Sequence, residues 1–216
     1  MSSRWSRAAD VGHKERRPPS TSPPRGRPAP APIGEPRVPF PPTADYRESV
    51  SEPHTLLLMR HAKSEYPDGV PDHDRPLAPR GIREAGLAGD WLRGNVPTID
   101  AVLCSTATRT RQTLDRTAID APVRYSGRLY GATPGTMIEE INQTADDIGT
   151  LLVIGHEPTM SGLALILADD AGTNIAAVER ISTKFPTSAI AVLAVPGGWK
   201  GLEAGRAALT GFEVPR

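Results

Sequence analysis

The chain has 216 residues, enough for one ordinary globular domain and a tail. Its 25 basic and 25 acidic side chains cancel overall, but residues 1–50 carry nine Lys and Arg against five Asp and Glu. The remainder is therefore net acidic, which argues against a nucleic-acid-binding protein. Cys104 is the single cysteine, so an intrachain disulfide and a cysteine-based zinc cluster are excluded.

No segment has the composition of a secretory signal or a membrane span. A signal needs an apolar core of about 7–15 residues, and a spanning helix needs about 20. The sequence contains neither. We therefore expect a cytoplasmic protein that does not associate with membranes.

The first 50 residues hold eleven of the 23 prolines, mixed with Ser, Arg and Gly. So little apolar surface cannot offset the entropy lost on ordering. We predict that residues 1–52 are disordered, with polyproline-like stretches, and that residues 53–216 form the folded domain. Two interpretations of the segment remain open, a non-functional tail and an arm that recruits a proline-binding partner.

Short apolar runs alternate with amphipathic stretches from His54 onward. In chain order the patterns predict a strand at 55–59, a helix from Pro79 to Leu92, a strand at 99–104, a helix at 108–117, a strand at 123–125, a helix at 133–145, a strand at 151–155, a helix at 158–168, a strand at 188–195 and an edge strand at 205–210. This alternation predicts an α/β fold, a three-layer sandwich with a largely parallel central sheet.

Three polar segments each follow directly on a predicted buried strand. They are Arg60–Ser64, Ser105–Thr113 and Gly155–Pro158. Because ligands bind at the carboxyl ends of strands in open α/β sheets, we expect these segments to converge there. Two histidines and two arginines would then share one small pocket.

That combination of side chains suits phosphoryl transfer. The planar guanidinium fork of an arginine binds two phosphate oxygens at once. A neutral imidazole can attack phosphorus and form a covalent phosphohistidine. Each feature alone has a simpler explanation, since a strand-end histidine is often structural and an arginine near a helix start is often solvated. The combination, in this order and after these strands, favours a phosphatase.

The same three segments resemble the signatures of the histidine phosphatase superfamily, which includes the phosphoglycerate mutases. Leu56–Ala62, with its Arg-His pair, resembles the Arg-His-Gly motif, and Ser105–Thr113 resembles the Ser-x-x-x-Arg-Ala-x-Gln-Thr motif. The sequence Val153-Ile-Gly-His156 resembles the second-histidine motif. Arg75-Pro-Leu77, shortly before Arg80-Gly81, is most similar to the SixA-type branch.

The resemblance implies a phosphoglycerate mutase-like fold and a phosphatase that needs no cofactor or metal. By the same resemblance His61 is the phospho-accepting nucleophile, and Arg60, Arg109 and His156 bind and neutralise the phosphoryl group. Ser64 is expected to add a hydrogen bond to the substrate. The implied substrate is a phosphorylated small molecule or a phosphoprotein, hydrolysed at a phosphomonoester or a phosphoramidate such as protein phosphohistidine.

The sequence departs from the family pattern at two places. Ala62 replaces the glycine that usually follows the nucleophile. The glutamate that serves many members as proton donor is missing, because Gly131 stands where that carboxylate is expected. Five other residues are candidates for the acid: Glu65, Asp68, Asp72, His73 and Glu157. An alkoxide leaving group needs such an acid, whereas the imidazole released from phosphohistidine needs little help, so the absence favours a phosphoramidate.

Other interpretations compete with a phosphatase. A catalytically idle phosphate-binding module, tethered through its proline-rich arm, would be expected to have lost the histidine that this chain retains at position 61. A mutase is disfavoured because no long insertion provides a lid and the acid is absent. A metal-dependent hydrolase is disfavoured because the five histidines show no His-x-x-x-His pair or other ligand spacing.

Overall fold

The computed structural model describes residues 53–216, so the segment 1–52 that we predict to be disordered lies outside the described residues. The strands are β1 (His54–Arg60), β2 (Ala101–Ser105), β3 (Val123–Ser126), β4 (Thr150–Gly155), β5 (Ile190–Val195) and β6 (Ala208–Glu213). The helices are α1 (Pro79–Asn95), α2 (Thr108–Thr117), α3 (Pro134–Ile141), α4 (Thr159–Leu167) and α5 (Ile175–Thr183). None of the helices in this part of the chain has the length and apolar character that crossing a membrane requires.

The six strands form one sheet in the order β3-β2-β4-β1-β5-β6. The pairs β3–β2, β2–β4 and β4–β1 are parallel, and β5 pairs antiparallel with both β1 and β6. Five strands therefore run in one direction and only β5 runs against them. The predicted largely parallel sheet is confirmed.

Helices cover both faces of the sheet, because alternate side chains of the central strands point to opposite sides. On one face Leu57 and Met59 of β1 pack with Leu92 of α1 and Leu114 of α2. On the other face Leu56 and Leu58 pack with residues of the three remaining helices, which include Met137, Ile141, Met160, Leu163 and Ile181. The arrangement is the predicted three-layer sandwich.

The structure differs from the sequence prediction at several element boundaries. Helix α5 was not predicted; its only fully buried positions are Ala177 and Ile181, so its apolar stripe is too narrow to stand out. The last strand begins at Ala208 instead of 205, because Gly205 adopts a φ of +71° in the turn before it. Helix α3 ends at Ile141, four residues earlier than predicted.

One close contact fixes helix α1 against the loop that follows β1. A Cβ atom at Gly81 would lie 2.0 Å from the backbone oxygen of Lys63, so only glycine fits there. The amide of Ala78 also donates to that oxygen, at 2.9 Å. The start of α1 therefore holds the segment after β1 in place at the carboxyl edge of the sheet.

Candidate active site

The two predicted histidines lie side by side at the carboxyl ends of neighbouring parallel strands. His61 follows β1 and His156 follows β4, and the amide of His61 donates to the carbonyl of Gly155 at 3.0 Å. Their ring centroids are 5.2 Å apart. Both side chains are recessed, with 8% and 9% of their surface exposed. The predicted convergence of these two segments is confirmed.

The hydrogen bond of His61 determines which ring nitrogen can react. Its Nδ1 lies 2.7 Å from the carbonyl oxygen of Ala62. A carbonyl oxygen only accepts, so Nδ1 carries the proton and donates. In the neutral ring Nε2 then has the lone pair, and none of the described residues donates a hydrogen bond to it. This is the tautomer that a nucleophilic histidine needs.

Burial keeps both rings neutral. Desolvation lowers the pKa of His61 to about 3, and the nearby His156, Arg109 and Arg60 add to the shift against an opposing contribution from the Ala62 carbonyl. Desolvation likewise lowers the pKa of His156 to about 4, with Arg109 as the next contribution. A ring that stays unprotonated at neutral pH retains the lone pair that attack on phosphorus requires.

His156 is held from one side only. Its Nε2 lies 2.9 Å from the hydroxyl of Ser105, the last residue of β2, and its Nδ1 is buried without a partner among the described residues. The ring of Tyr130 meets it edge to face, with centroids 5.5 Å apart. Ser105 and Tyr130 therefore orient the imidazole, and Nδ1 has no protein partner among the described residues.

Both predicted arginines are anchored to the protein at one end of the guanidinium. Arg60 donates through Nη1 to the carbonyl of Phe185 at 2.7 Å. Arg109, the second residue of α2, donates through Nη1 to the carbonyl oxygen of Asp72 at 2.5 Å and through Nη2 to its carboxylate at 3.1 Å. In both arginines Nε is buried and has no partner among the described residues.

Three buried nitrogen atoms without partners thus belong to residues that surround His61, namely Nε of Arg60, Nε of Arg109 and Nδ1 of His156. A buried donor that stays unpaired costs about 1–3 kcal/mol, so native proteins rarely retain several in one place. An anion with several oxygens, such as a phosphoryl group, would satisfy both Nε–H groups and also Nδ1 of His156, which carries the proton when Nε2 accepts from the Ser105 hydroxyl.

Thr113 joins the nucleophile loop to the helix that carries Arg109. Its hydroxyl accepts from the amide of Ala62 at 2.9 Å and donates to the carbonyl of Arg109 at 2.6 Å. Sequence reasoning gave Thr113 no role of its own, although it is the threonine of the Gln-Thr pair in the second motif. Its contacts explain why a threonine is needed there.

Ser64 makes no hydrogen bond to the two histidines and two arginines of the site. Its hydroxyl accepts from Nη2 of Arg75 at 2.5 Å, and Nη1 of Arg75 in turn donates to the Asp72 carboxylate at 2.6 Å. Ser64 therefore lies at the outer end of a chain of contacts that leads to Arg109. Its expected hydrogen bond to the substrate stays a prediction.

Two of the five candidate acids, Asp72 and His73, lie near the histidine pair. Asp72 accepts from the Tyr130 hydroxyl at 2.6 Å, and this bond, followed by the charges of Arg109 and Arg75, lowers the pKa of its carboxyl group. Asp72 is therefore ionised at neutral pH and cannot donate a proton. The ring of His73 contacts the hydroxyl of Thr106 through Nε2 at 3.0 Å.

Of the other candidates only Glu157 lies close to the site, where its charge opposes the desolvation that lowers the pKa of Arg60. The Glu157 carboxylate accepts from Ser161, and Glu65 and Asp68 are exposed. At Gly131 φ is +72°, and a Cβ built there meets nothing within 4 Å. The position has room for a glutamate, but its backbone favours glycine. Nor do any three His, Cys, Asp or Glu side chains of residues 53–216 assemble as a metal-ligand set would.

Comparison with known proteins places this site in context. Residues 56–149 match the model of the histidine phosphatase superfamily (branch 1). An uncharacterized protein of Mycobacterium tuberculosis is 70% identical over 158 residues, which cover 73% of this chain and 100% of that protein. The structure of a SixA protein from Nakamurella multipartitia is 40% identical with a TM-score of 0.69, covering 75% of this chain and 96% of that one.

A third relative has a named activity. The phosphohistidine phosphatase SixA of Escherichia coli is 29% identical over 114 residues, which cover 50% of this chain and 70% of that protein. The fold of the chain is phosphoglycerate mutase-like, as the resemblance implied.

Proposed function

The chain belongs to the histidine phosphatase superfamily and is a phosphatase of the SixA type, and we propose that it hydrolyses phosphohistidine in a protein through a covalent phosphohistidine on His61. One observation carries the proposal. Nδ1 of His61 donates to the Ala62 carbonyl, so the lone pair of this buried, neutral ring is on Nε2.

In the first step Nε2 of His61 attacks phosphorus, and the bond from phosphorus to the substrate imidazole nitrogen breaks. The departing imidazole takes a proton from solvent. In the second step water attacks the phosphorus, the bond from phosphorus to Nε2 of His61 breaks, and the proton lost by the water returns to solvent, so that inorganic phosphate leaves and neutral His61 is regenerated. Arg60, Arg109 and His156 stabilise the charge on the phosphoryl oxygens in both steps, because their unpaired nitrogens supply donors before the reaction begins.

The electrostatics of the site favour a phosphoramidate over an alkyl phosphate. Expelling an alkoxide requires an acid, and proton donation is worth about 10²–10⁴-fold in rate. Gly131 has no carboxylate, and Asp72 is ionised at neutral pH, with its pKa lowered further by its contacts with Tyr130 and Arg109. Imidazole leaves readily without an acid, so phosphohistidine is the substrate class that this constellation serves best.

Access to the site also suits a phosphate carried on a protein. Helix α2 begins at Thr108 shortly after β2 ends at Ser105, and α4 begins at Thr159 shortly after β4 ends at Gly155. These short connections place no inserted segment over the recessed histidine pair from their side. The name of the Escherichia coli relative points to the same substrate class.

Trapping the intermediate tests the mechanism. Wild type incubated briefly with a phosphohistidine peptide and quenched in alkali should carry acid-labile phosphate on His61, located by mass spectrometry. His61→Ala should carry none and should not turn over. His54→Ala is the matched control, because His54 lies at the opposite end of β1 and should be labelled like wild type. Phosphate found on His156 instead would reverse the assignment of the nucleophile.

A leaving-group series tests the substrate class. Among aryl phosphates, kcat/KM should fall steeply as the pKa of the leaving phenol rises, and phosphohistidine should exceed alkyl phosphates of similar size by at least 10²-fold. A flat dependence would mean that a general acid operates after all. His73→Gln and Glu157→Gln would then identify it, as the variant in which the dependence becomes steep.

A further inference from the structure

Asp72 lies outside the family's signature motifs, yet three side chains at the site converge on it. Arg109 binds both its backbone oxygen and its carboxylate, Arg75 donates to Oδ1, and the Tyr130 hydroxyl donates to Oδ2. From this arrangement we propose that Asp72 is a positioning residue, which orients the guanidinium of Arg109 for the phosphoryl group. The inference rests on the proposed function, in which Arg109 binds the substrate phosphate.

A guanidinium offers its five N–H groups along different edges, and Asp72 occupies one of them. Its backbone oxygen accepts from Nη1 and its carboxylate oxygen Oδ2 accepts from Nη2, the two nitrogens at the end of the guanidinium. The edge formed by Nε and the adjacent Nη group carries no protein acceptor at Nε, which is buried without a partner among the described residues. A phosphoryl group can therefore be bound in bidentate fashion by the side edge while Asp72 holds the end.

Asp72 is itself held firmly enough to act as an anchor. Arg75 binds its carboxylate and also donates to the Ser64 hydroxyl and to the Glu65 carbonyl at 3.0 Å. These contacts tie the turn that carries Asp72 to the segment directly after His61. The nucleophile and the phosphate-binding arginine are thereby connected through one carboxylate.

The sign of the effect separates positioning from simple electrostatics. The bond from Tyr130 and then the charges of Arg109 and Arg75 lower the pKa of the Asp72 carboxyl group, which is ionised at neutral pH. A negative charge near the pocket should by itself repel an anion, so removing it would strengthen phosphate binding. If its main role is to orient Arg109, removing it should weaken binding instead. The half-exposed carboxylate is screened by water, so we expect the orienting role to dominate.

The experiment measures oxyanion affinity, which does not require turnover. The Kd of orthovanadate, determined by titration calorimetry, should rise about 10- to 100-fold in Asp72→Ala, because a charge-assisted hydrogen bond contributes about 1.5–3 kcal/mol. Asp72→Asn should lose less than Asp72→Ala, since its amide oxygen and the backbone oxygen still accept from Arg109, while its NH2 group loses the hydrogen bond from Arg75. Asp74→Ala is the matched control, because Asp74 lies in the same turn but contacts His73 instead of Arg109.

A double-mutant cycle excludes a merely structural effect. In an Arg109→Lys background, Asp72→Ala should change the vanadate Kd by less than about threefold, since the fork that it orients is gone. The proposal is wrong if Asp72→Ala binds vanadate as tightly as wild type or more tightly. It is equally wrong if the loss is the same in both backgrounds. A wild type that binds vanadate but forms no phosphohistidine would instead contradict the proposed function.

Discussion

The buried, neutral histidine pair should make the protein unusually sensitive to mild acid. An unfolded histidine has a pKa near 6.5, whereas the folded pKa values are about 3 for His61 and about 4 for His156. Below pH 6.5 the unfolded chain therefore binds protons that the folded site rejects. The free energy of unfolding therefore has its full value above pH 6.5 and decreases progressively as the pH falls toward the folded pKa values of the two histidines.

The magnitude follows from the size of the two pKa shifts. Between pH 7 and pH 5 each histidine should lower the free energy of unfolding by roughly 2 kcal/mol, so the pair contributes about 4 kcal/mol. That is a large part of the 5–15 kcal/mol that holds a typical domain together. Carboxylates such as Asp72 contribute mainly below pH 5, because unfolded carboxyl groups titrate near pH 4.

Urea denaturation followed by tryptophan fluorescence measures the effect, since Trp199 is fully buried. His61→Gln and His156→Gln should each reduce the loss between pH 7 and pH 5 by about half, whatever they do to stability at pH 7. Ser188→Ala is the control, because it alters a buried group next to His61 that does not titrate. Buffers must be free of phosphate, which would stabilise the folded state by binding. If both glutamine variants lose as much stability as wild type, the histidines are not neutral in the folded protein.

Three further predictions concern other parts of the molecule. Activity should survive EDTA, because arginines and a histidine supply the positive charge and the hydrogen bonds at the site; loss of activity that Mg²⁺ or Zn²⁺ restores would contradict this. Gly81→Ala should lower the free energy of unfolding by about 1–3 kcal/mol, since its Cβ would meet the Lys63 backbone, whereas Gly86→Ala on the same helix has open space and should raise it by about 1 kcal/mol. Equal effects in urea titrations would refute the contact. Deleting residues 1–50 should leave the Tm nearly unchanged, and a large drop would place part of that segment in the domain.

Much of the fold was predictable because its central strands are buried on both faces. The run Thr55–Met59 and the run Leu151–Gly155 are continuous apolar stretches, and such patterns predict a parallel core. Helix α5 escaped prediction because its helix–sheet contact involves few buried side chains. Its start at Asn174 is a capping signal, but a cap without a strong apolar stripe does not identify a helix.

The central residues of the site were predictable for a different reason. His61 and His156 each follow a buried strand, and topology brings the carboxyl ends of neighbouring parallel strands together. The role of Asp72 was not predictable, because its contact with Arg109 joins residues 37 positions apart through a turn that packs against α2. Sequence reasoning considered Asp72 only as a proton donor, and its arginine partners argue against that role.

The unsatisfied polar atoms of the protein explain why binding and stability are coupled at this site. Among residues 53–216, five of the seven buried side-chain atoms without partners belong to Arg60, Arg109, His156, Glu157 and Ser188, all at the carboxyl edge of the sheet. Ser188 also holds a left-handed backbone conformation, with φ of +63°, while its amide donates to the carbonyl of Arg60. Strain and unpaired buried polar atoms each lower stability, so their concentration in one place indicates a site shaped for a ligand. An oxyanion that pairs with the three unpaired nitrogens would relieve part of this penalty, and for that reason its binding should stabilise the fold as well as occupy the site.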